Sequence, residues 1–517
     1  MRFTDGGRPS PREAETDMID IPQSSLKRYP DFIYLFAITL MASMLAYGYW
    51  LTNFVLNIDG ETTDNFLQTI SLGRWFHALL RMGLLPEPFI PYFTNAVALI
   101  FISVAACISA LVLSLEGAKA VLFTCLFVSF PSLAYQFQFL NQADTFAVGY
   151  VLSSSSAYLF VRAASDTLRS KKLGWMVLAC MLLSLALGVY QTLIVVPAVL
   201  IAGRSLLKSD QETSIKQLMQ VSGFTTLFFA GAAMLYALGV ILSQGVTGAS
   251  AQSYASNYLS SQPLMQYLRN VFAALYSLLL GRGAFGFSTY ALATASSGYL
   301  FIGFLRLHWT EFLVKIMLVL FLLLSPFALV VLSGNIAPPR TYVAANLSFA
   351  ILFTAAASAV VNRTILLALA VLLGIVHCAA ITQLFHSDRR VRDADVQMAN
   401  RVEAMIRLKY PTLDLSRSPV YFHGGYENMA TAKLPLSDVF GSSFFAWDGG
   451  NDMRIKGFFR FYGVADYRPV TADDVEKVKS SIAGLPTWPM SDSVALVDDV
   501  IVVKLGNSMG WLPFAAR

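Results

Sequence analysis

The sequence predicts a polytopic α-helical membrane protein of about eleven transmembrane helices, including a re-entrant-like hairpin, followed by a small C-terminal α/β soluble domain. Two observations carry this reading. The 517 residues are 56% hydrophobic and only 13% charged, whereas a soluble domain has typically about 25% charged residues. Apolar runs also dominate as far as residue 385 and then give way to alternating charges and aromatics. The net charge of +5 is small, and its lysines and arginines sit between apolar runs with no basic face, so no nucleic-acid partner is expected.

The first 30 residues are polar and lack an apolar signal core, so 1–30 reads as a cytoplasmic tail and 32–54 as an uncleaved signal anchor. About 20 apolar residues are needed to cross the ~30 Å hydrocarbon layer. Further crossings are expected at 89–114, 118–135, 145–164, 221–243, 284–305, 312–333, 342–361 and 364–384. Run 174–203 is too long for one simple span and has Arg169, Lys171 and Lys172 before it and Arg204 and Lys208 after it. With both flanks cytoplasmic, it goes in and returns as two arms of about 14 residues. The turn falls near Gly188-Val189-Tyr190-Gln191-Thr192. A break of that kind belongs against a cavity, and one tilted helix is the plain alternative. The transmembrane domain is then 31–385, with 57–87, 136–144, 244–283 and 334–341 outside, and 386–517 forms the outer α/β domain. Within that domain a helix to about Leu408, strands at 420–422 and 500–503, and a helix at 472–483 are expected.

Chemistry collects on the outer side. The first loop, 57–87, carries Asp59, Glu61 and Asp64, and Arg74 follows on an amphipathic stretch read as one interfacial helix. Asp144 opens the fourth helix, Arg282 ends a second amphipathic stretch at 264–282, and Arg340 lies in Pro338-Pro339-Arg340-Thr341. Charge kept beside lipid is a functional candidate by default. Carboxylates and guanidinium groups at one face suit group transfer from a lipid phosphate. The arginines hold the charge growing on the leaving phosphate, and a carboxylate takes the proton of an attacking sugar hydroxyl. Asp59 and Asp64 are the candidate bases; Arg74, Arg340 and Arg282 are the phosphate contacts. Asp144, Tyr190, Gln191 and Glu61 are the sugar or acceptor contacts. The plain alternatives are helix capping for the aspartates, solvation for Glu61, snorkelling for Arg74 and interhelical hydrogen bonding for Tyr190 and Gln191.

No cofactor and no metal are expected: no nucleotide is needed, and His77, His308 and His377 are scattered. Cys107, Cys125, Cys180 and Cys378 all lie in apolar runs and read as small core residues.

The acidic loop running into Ser71-Leu72-Gly73-Arg74, Asn141-Gln142-Ala143-Asp144, Gly188-Val189-Tyr190-Gln191-Thr192 and Pro339-Arg340 occur in this order. Leu485-Pro486-Thr487-Trp488-Pro489 and Ile501-Val502-Val503-Lys504-Leu505 close the series. Together they make the chain resemble the GtrII-type bacterial glucosyltransferases, the serotype-converting O-antigen enzymes of the GT-C class. The resemblance implies a GT-C-like inner-membrane enzyme with its C-terminal domain in the periplasm. Such an enzyme takes glucose or a related hexose from undecaprenyl phosphate and passes it to a lipid-linked polysaccharide (O-antigen), inverting by single displacement. A donor-synthesising transferase and a flippase encoded with it are the further partners. The first-loop base of the class maps onto Asp59, with Asp64 second; the family's adjacent acidic pair is here separated by Gly60. Competing readings are a lipid-linked sugar transporter or flippase, which would carry mid-bilayer charge and an internal repeat, and an O-antigen polymerase.

Overall fold

A computed structural model describes residues 29–62, 65–208, 215–252, 262–415, 417–427, 432–510 and 512. The fold is mostly helical, and the chain divides into two compact units. One holds the described residues up to Leu51 with Asn65–Phe137 and Asn141–Ile381; the other holds those of Thr52–Asp64, Gln138–Leu140 and Thr382–Arg517.

The first unit is a helical bundle. Its longer helices are α1 (Tyr29–Ala46), α2 (Trp75–Gly83), α3 (Pro91–Val112), α4 (Gly117–Ser129), α5 (Ala143–Ser165), α6 (Arg169–Val189) and α7 (Val195–Leu207). Then follow α8 (Ile215–Thr247), α9 (Leu264–Leu279), α10 (Tyr290–Phe304), α11 (Trp309–Leu324), α12 (Ala345–Val360) and the start of α13 (Arg363–Lys409). Six helical segments are long and apolar enough to cross a membrane: Pro91–Val112, Gly117–Phe137, Arg169–Val189, Ser222–Thr247, Trp309–Ser333 and Arg363–Lys409. Asp31–Ala46, Gln191–Leu207 and Ala345–Val360 are shorter apolar helices. Helix α5 falls outside both sets because Ser153–Ser156 lowers its hydropathy. Those serines are spent inside the bundle: Ser154 meets Ser109 of α3 at 3.1 Å, and Ser153 donates to the Leu193 carbonyl at 3.2 Å. Hydroxyl contacts of this kind join helices where lipid offers no hydrophobic drive. His377 of α13 does the same, lying 3.1 Å from Ser129 and 2.8 Å from Thr289. Helix α8 turns Leu227, Met234, Leu238, Ile241 and Val246 outward, as a lipid-facing helix must.

The long apolar run does break at Tyr190, which is extended (φ −156°, ψ 117°) between α6 and one 3-10 turn, Gln191–Ile194. Its arms are unequal: α6 has 21 residues and α7 has 13. The expected 14-residue first arm is too short because the helix continues back through Lys171 and Lys172 to Arg169. A long stem lets such a charge stay attached to an apolar helix; Lys172 Nζ lies 4.9 Å from the Phe224 ring centre. At the other end, Arg204 donates to the Val112 carbonyl at 2.5 Å and Lys315 to those of Leu206 and Lys208 at 2.9 Å. Basic groups so placed satisfy the last carbonyls of α3 and α7.

The second unit is built on a three-stranded sheet in the order β1-β3-β2: β1 (Val420–His423), β2 (Val494–Val497) and β3 (Val500–Lys504). β1 runs parallel to β3 with Val420 opposite Ile501, and β2 runs antiparallel to it. β3 is buried along its whole length, which is why it reads as an unbroken apolar run. Helix α15 (Ala472–Ile482) packs Val475, Val478 and Ile482 against Tyr421, Val500 and Val502. A capping box between Thr471 and Asp474 starts it. Helix α14 (Asp452–Phe461) and β2 were not expected from the sequence. The separate helix expected after residue 386 is instead continuous with the preceding apolar span, giving the 47-residue α13. Charge alone does not interrupt a helix, and neither glycine nor proline occurs at 385–390 to break it.

Candidate functional site

In the second unit the first-loop acids meet an arginine the sequence reading did not single out. Arg454 Nη2 lies 2.7 Å from Asp59 Oδ1, Nη1 2.6 Å from Glu61 Oε1, and Nε 3.2 Å from Asp448 Oδ2. The carboxyl of Asp59 is half exposed, whereas that of Glu61 is buried, with Oε2 making no hydrogen bond among the described residues. Burial lifts the Glu61 carboxyl above the usual carboxylate range, against the pull of the Arg454 charge. Burial opposes the charge on Arg454 as well, but Asp59, Glu61 and Asp448 outweigh it and hold the proton more firmly. Asp64 lies outside the described residues.

In the first unit the expected interfacial helix is two helices, Phe66–Ser71 and α2, separated at Gly73. Gly73 has φ +74°, the left-handed region open to glycine, and a Cβ there would lie 2.6 Å from the Tyr236 hydroxyl. The break aims Arg74 at the hairpin. Its guanidinium stacks 4.7 Å from the Tyr190 ring centre, and Nη1 donates to Gln142 Oε1 at 3.2 Å. The buried Nε makes no hydrogen bond among the described residues. Gln191 Nε2 donates to the Leu72 carbonyl at 2.7 Å and to Tyr236 of α8 at 3.1 Å. Trp75 fills the notch between Gly188 and Gly239, where a Cβ would come within 2.8 and 2.4 Å of the indole. Thus Arg74, Tyr190 and Gln191 do come together, and Tyr236 and Gln142 join them.

Asp144 is fully buried, and both its oxygens are taken by Arg81, at 2.5 and 3.1 Å. Arg81 also donates to the carbonyls of Asn141 and Pro86. Arg74 caps α2 and Arg81 lies in its last turn, and both reach the 141–144 segment; the seven-residue spacing was the available signal for Arg81. Arg340 sits in the turn Pro339–Thr341, whose Arg340 carbonyl accepts from Gln136 Nε2. Gln136 and Gln142, the partners of the Arg340 and Arg74 segments, are six residues apart, so their Cα atoms lie within roughly 20 Å. Arg282 is exposed in the loop that Tyr135 anchors by donating to the Phe285 carbonyl at 2.9 Å. Among the described residues no cluster of histidine, cysteine or acidic side chains could hold a metal ion.

The family model described as glucosyl transferase GtrII matches residues 48–356, well over half of the chain. The chain belongs to the GtrII glucosyl transferase family. No curated protein and no solved structure matches it. The GtrII match takes in Asp59, Glu61, Arg74, Asp144, Tyr190, Gln191, Arg282 and Arg340 but stops short of Arg454 and the sheet. The protein is accordingly a glycosyltransferase with membrane-spanning helices.

Gly73→Ala tests the GtrII-family chain's break before Arg74. The left-handed backbone and the clash with Tyr236 should together cost about 1–3 kcal/mol and lower transfer. Unfolding temperature and turnover in detergent check this.

Proposed function

We propose that this GtrII-family protein moves glucose, or a related hexose, from polyprenyl phosphate to a lipid-linked surface polysaccharide. The reaction takes place at the periplasmic face of a bacterial inner membrane. The observation that carries this reading is the GtrII match, laid over helices able to cross a bilayer. A lipid-phosphate donor fits such a chain because it reaches the protein through the membrane.

The chemistry is a single displacement with inversion. The acceptor hydroxyl attacks the anomeric carbon, the bond from that carbon to the phosphate oxygen breaks, and the hydroxyl proton passes to a carboxylate. Asp59 is the proposed base, with Asp64 second. One oxygen of Asp59 rests on Arg454, and the half-exposed carboxyl keeps the other for a hydroxyl. Arg74, Arg340 and Arg282 hold the departing phosphate. The Tyr190 ring beneath Arg74 and an Nε with no hydrogen bond among the described residues support a fork presented to an anion. Gln191, with Asp144 acting through Arg81 and Glu61 through Arg454, shapes the sugar and acceptor contacts. The C-terminal domain, outside in the periplasm, binds acceptor glycan.

Expression with and without a polyprenyl-phosphate-glucose source, followed by analysis of side branches on the surface polysaccharide, tests the reading. New branches should need both protein and donor; identical polysaccharide in both cases ends it. Arg340→Lys should raise the KM for lipid donor by roughly tenfold, because an ammonium cannot offer the fork. An unchanged KM would take Arg340 out of the phosphate site.

A further inference from the structure

The Arg454 cluster is more elaborately built than an incidental ion pair. All three nitrogen positions of one guanidinium face different carboxylates, and the two from the first loop lie nearly 400 residues earlier in the chain. Both sides are shaped for the meeting. Asn451 starts α14 by accepting from the Met453 and Arg454 backbone N–H groups at 3.1 and 3.3 Å, which orients the first turn. One turn on, Gly457 leaves room for Glu61; a Cβ there would lie 2.9 Å from Glu61 Cγ. On the loop side Asp59 itself adopts φ +76°, a left-handed conformation that aspartate enters more readily than most residues and that turns the loop at this point. Gly60 follows, donating to the Asn57 carbonyl at 3.0 Å, and a Cβ on it would meet the Asn57 side chain at 2.9 Å.

We propose that Arg454 is a positioning residue for hexosyl transfer: it fixes Asp59 and Glu61 on one guanidinium and so sets the aim of the first-loop base. This rests on the reading of Asp59 as that base. Two carboxylates a single residue apart would repel without a cation between them. With Arg454 in place Glu61 is an anchor and Asp59 is free to present one oxygen. The match to the GtrII family ends at residue 356, so this assignment concerns a part of the chain that the family match does not reach.

The test has two arms, using the full-length protein in lipid vesicles. In the first, hydrogen exchange of residues 57–62 is compared in wild type, Arg454→Gln and Arg454→Lys. Protection should fall in Arg454→Gln and recover in part in Arg454→Lys; equal protection in all three overturns the proposal, whatever the substrate. In the second, transfer from polyprenyl-phosphate-glucose is followed against pH. Arg454→Gln should lower kcat by about 100-fold, the usual scale for a misplaced group, with the donor KM changed less than about twofold. The titrating groups facing one another are Asp59 and Glu61 of the loop, Asp448 before α14 and Arg454 itself. Losing the cation removes the charge that opposes burial at Glu61, so that carboxyl should become harder to ionise and the acidic limb of the rate profile should move up. A fall in kcat with an unmoved limb and intact protection would also overturn it. If wild type transfers nothing from this donor, the donor reading fails while hydrogen exchange still judges Arg454. If Asp59→Asn stays active but Arg454→Gln does not, the base is misassigned and the positioning role belongs to Glu61. Should Arg454→Gln fail to accumulate, Arg454→Lys and Gly457→Ala, which presses on Glu61 alone, carry both arms.

Discussion

Asp59→Asn should reduce hexosyl transfer by about 10²–10⁴-fold, the range that a positioned proton acceptor contributes, while the protein still accumulates and unfolds at its usual temperature. The two halves of that expectation have separate grounds. Activity falls because an amide cannot take the proton of the attacking hydroxyl. Stability survives because Asp59 is half exposed and Arg454 keeps Glu61 and Asp448 as partners; an exposed ion pair is worth only about 0–1 kcal/mol. Initial rates with saturating lipid donor, alongside a thermal unfolding curve, measure both. Wild-type turnover in the variant would hand the role of base to Asp64 or to a group elsewhere.

The second large effect is on folding. Asp144→Asn should destabilise the helical unit by about 3–5 kcal/mol, because it strands the buried Arg81 charge. Arg81 would keep the carbonyls of Asn141 and Pro86 and at best one amide oxygen of the new side chain, none of which carries a charge. The double variant Arg81→Met/Asp144→Leu removes both charges and should recover most of the loss. Thermal unfolding in detergent decides between this and direct acceptor binding by Asp144. A stable Asp144→Asn protein with a raised KM for acceptor would favour the contact role.

Much of the membrane part was legible because its signals are local. Apolar length marked the six segments long enough to cross a membrane, though not the eleven helices expected, and the long run 174–203 does break, at Tyr190. The motif order pointed to the family that the GtrII match shows. Strands 420–422 and 500–503 were legible because buried strands read as short apolar runs. What was missed depends on distant or compensated features. Arg454 carries no local mark, since its partners lie at the other end of the sequence. The break at Gly73 was hidden because the apolar pattern continues on both sides of it, and only the left-handed backbone divides the helix. The serines of α5 find their partners elsewhere in the bundle, in Ser109 of α3 and the Leu193 carbonyl, and so did not hide the expected helix at 145–164.

The placing of the described residues of 52–62 in the same compact unit as those after 382 bears on how family members can be recombined. A chimera that exchanges only the tail would leave Glu61 and Asp59 beside an unfamiliar helix, with no guarantee of a matching cation or of a glycine where Gly457 stands. Shuffling experiments aimed at acceptor choice should therefore transplant both stretches as a single cassette. Grafts that carry the tail alone ought to fail for want of a correctly seated loop, even where the glycan preference itself transfers.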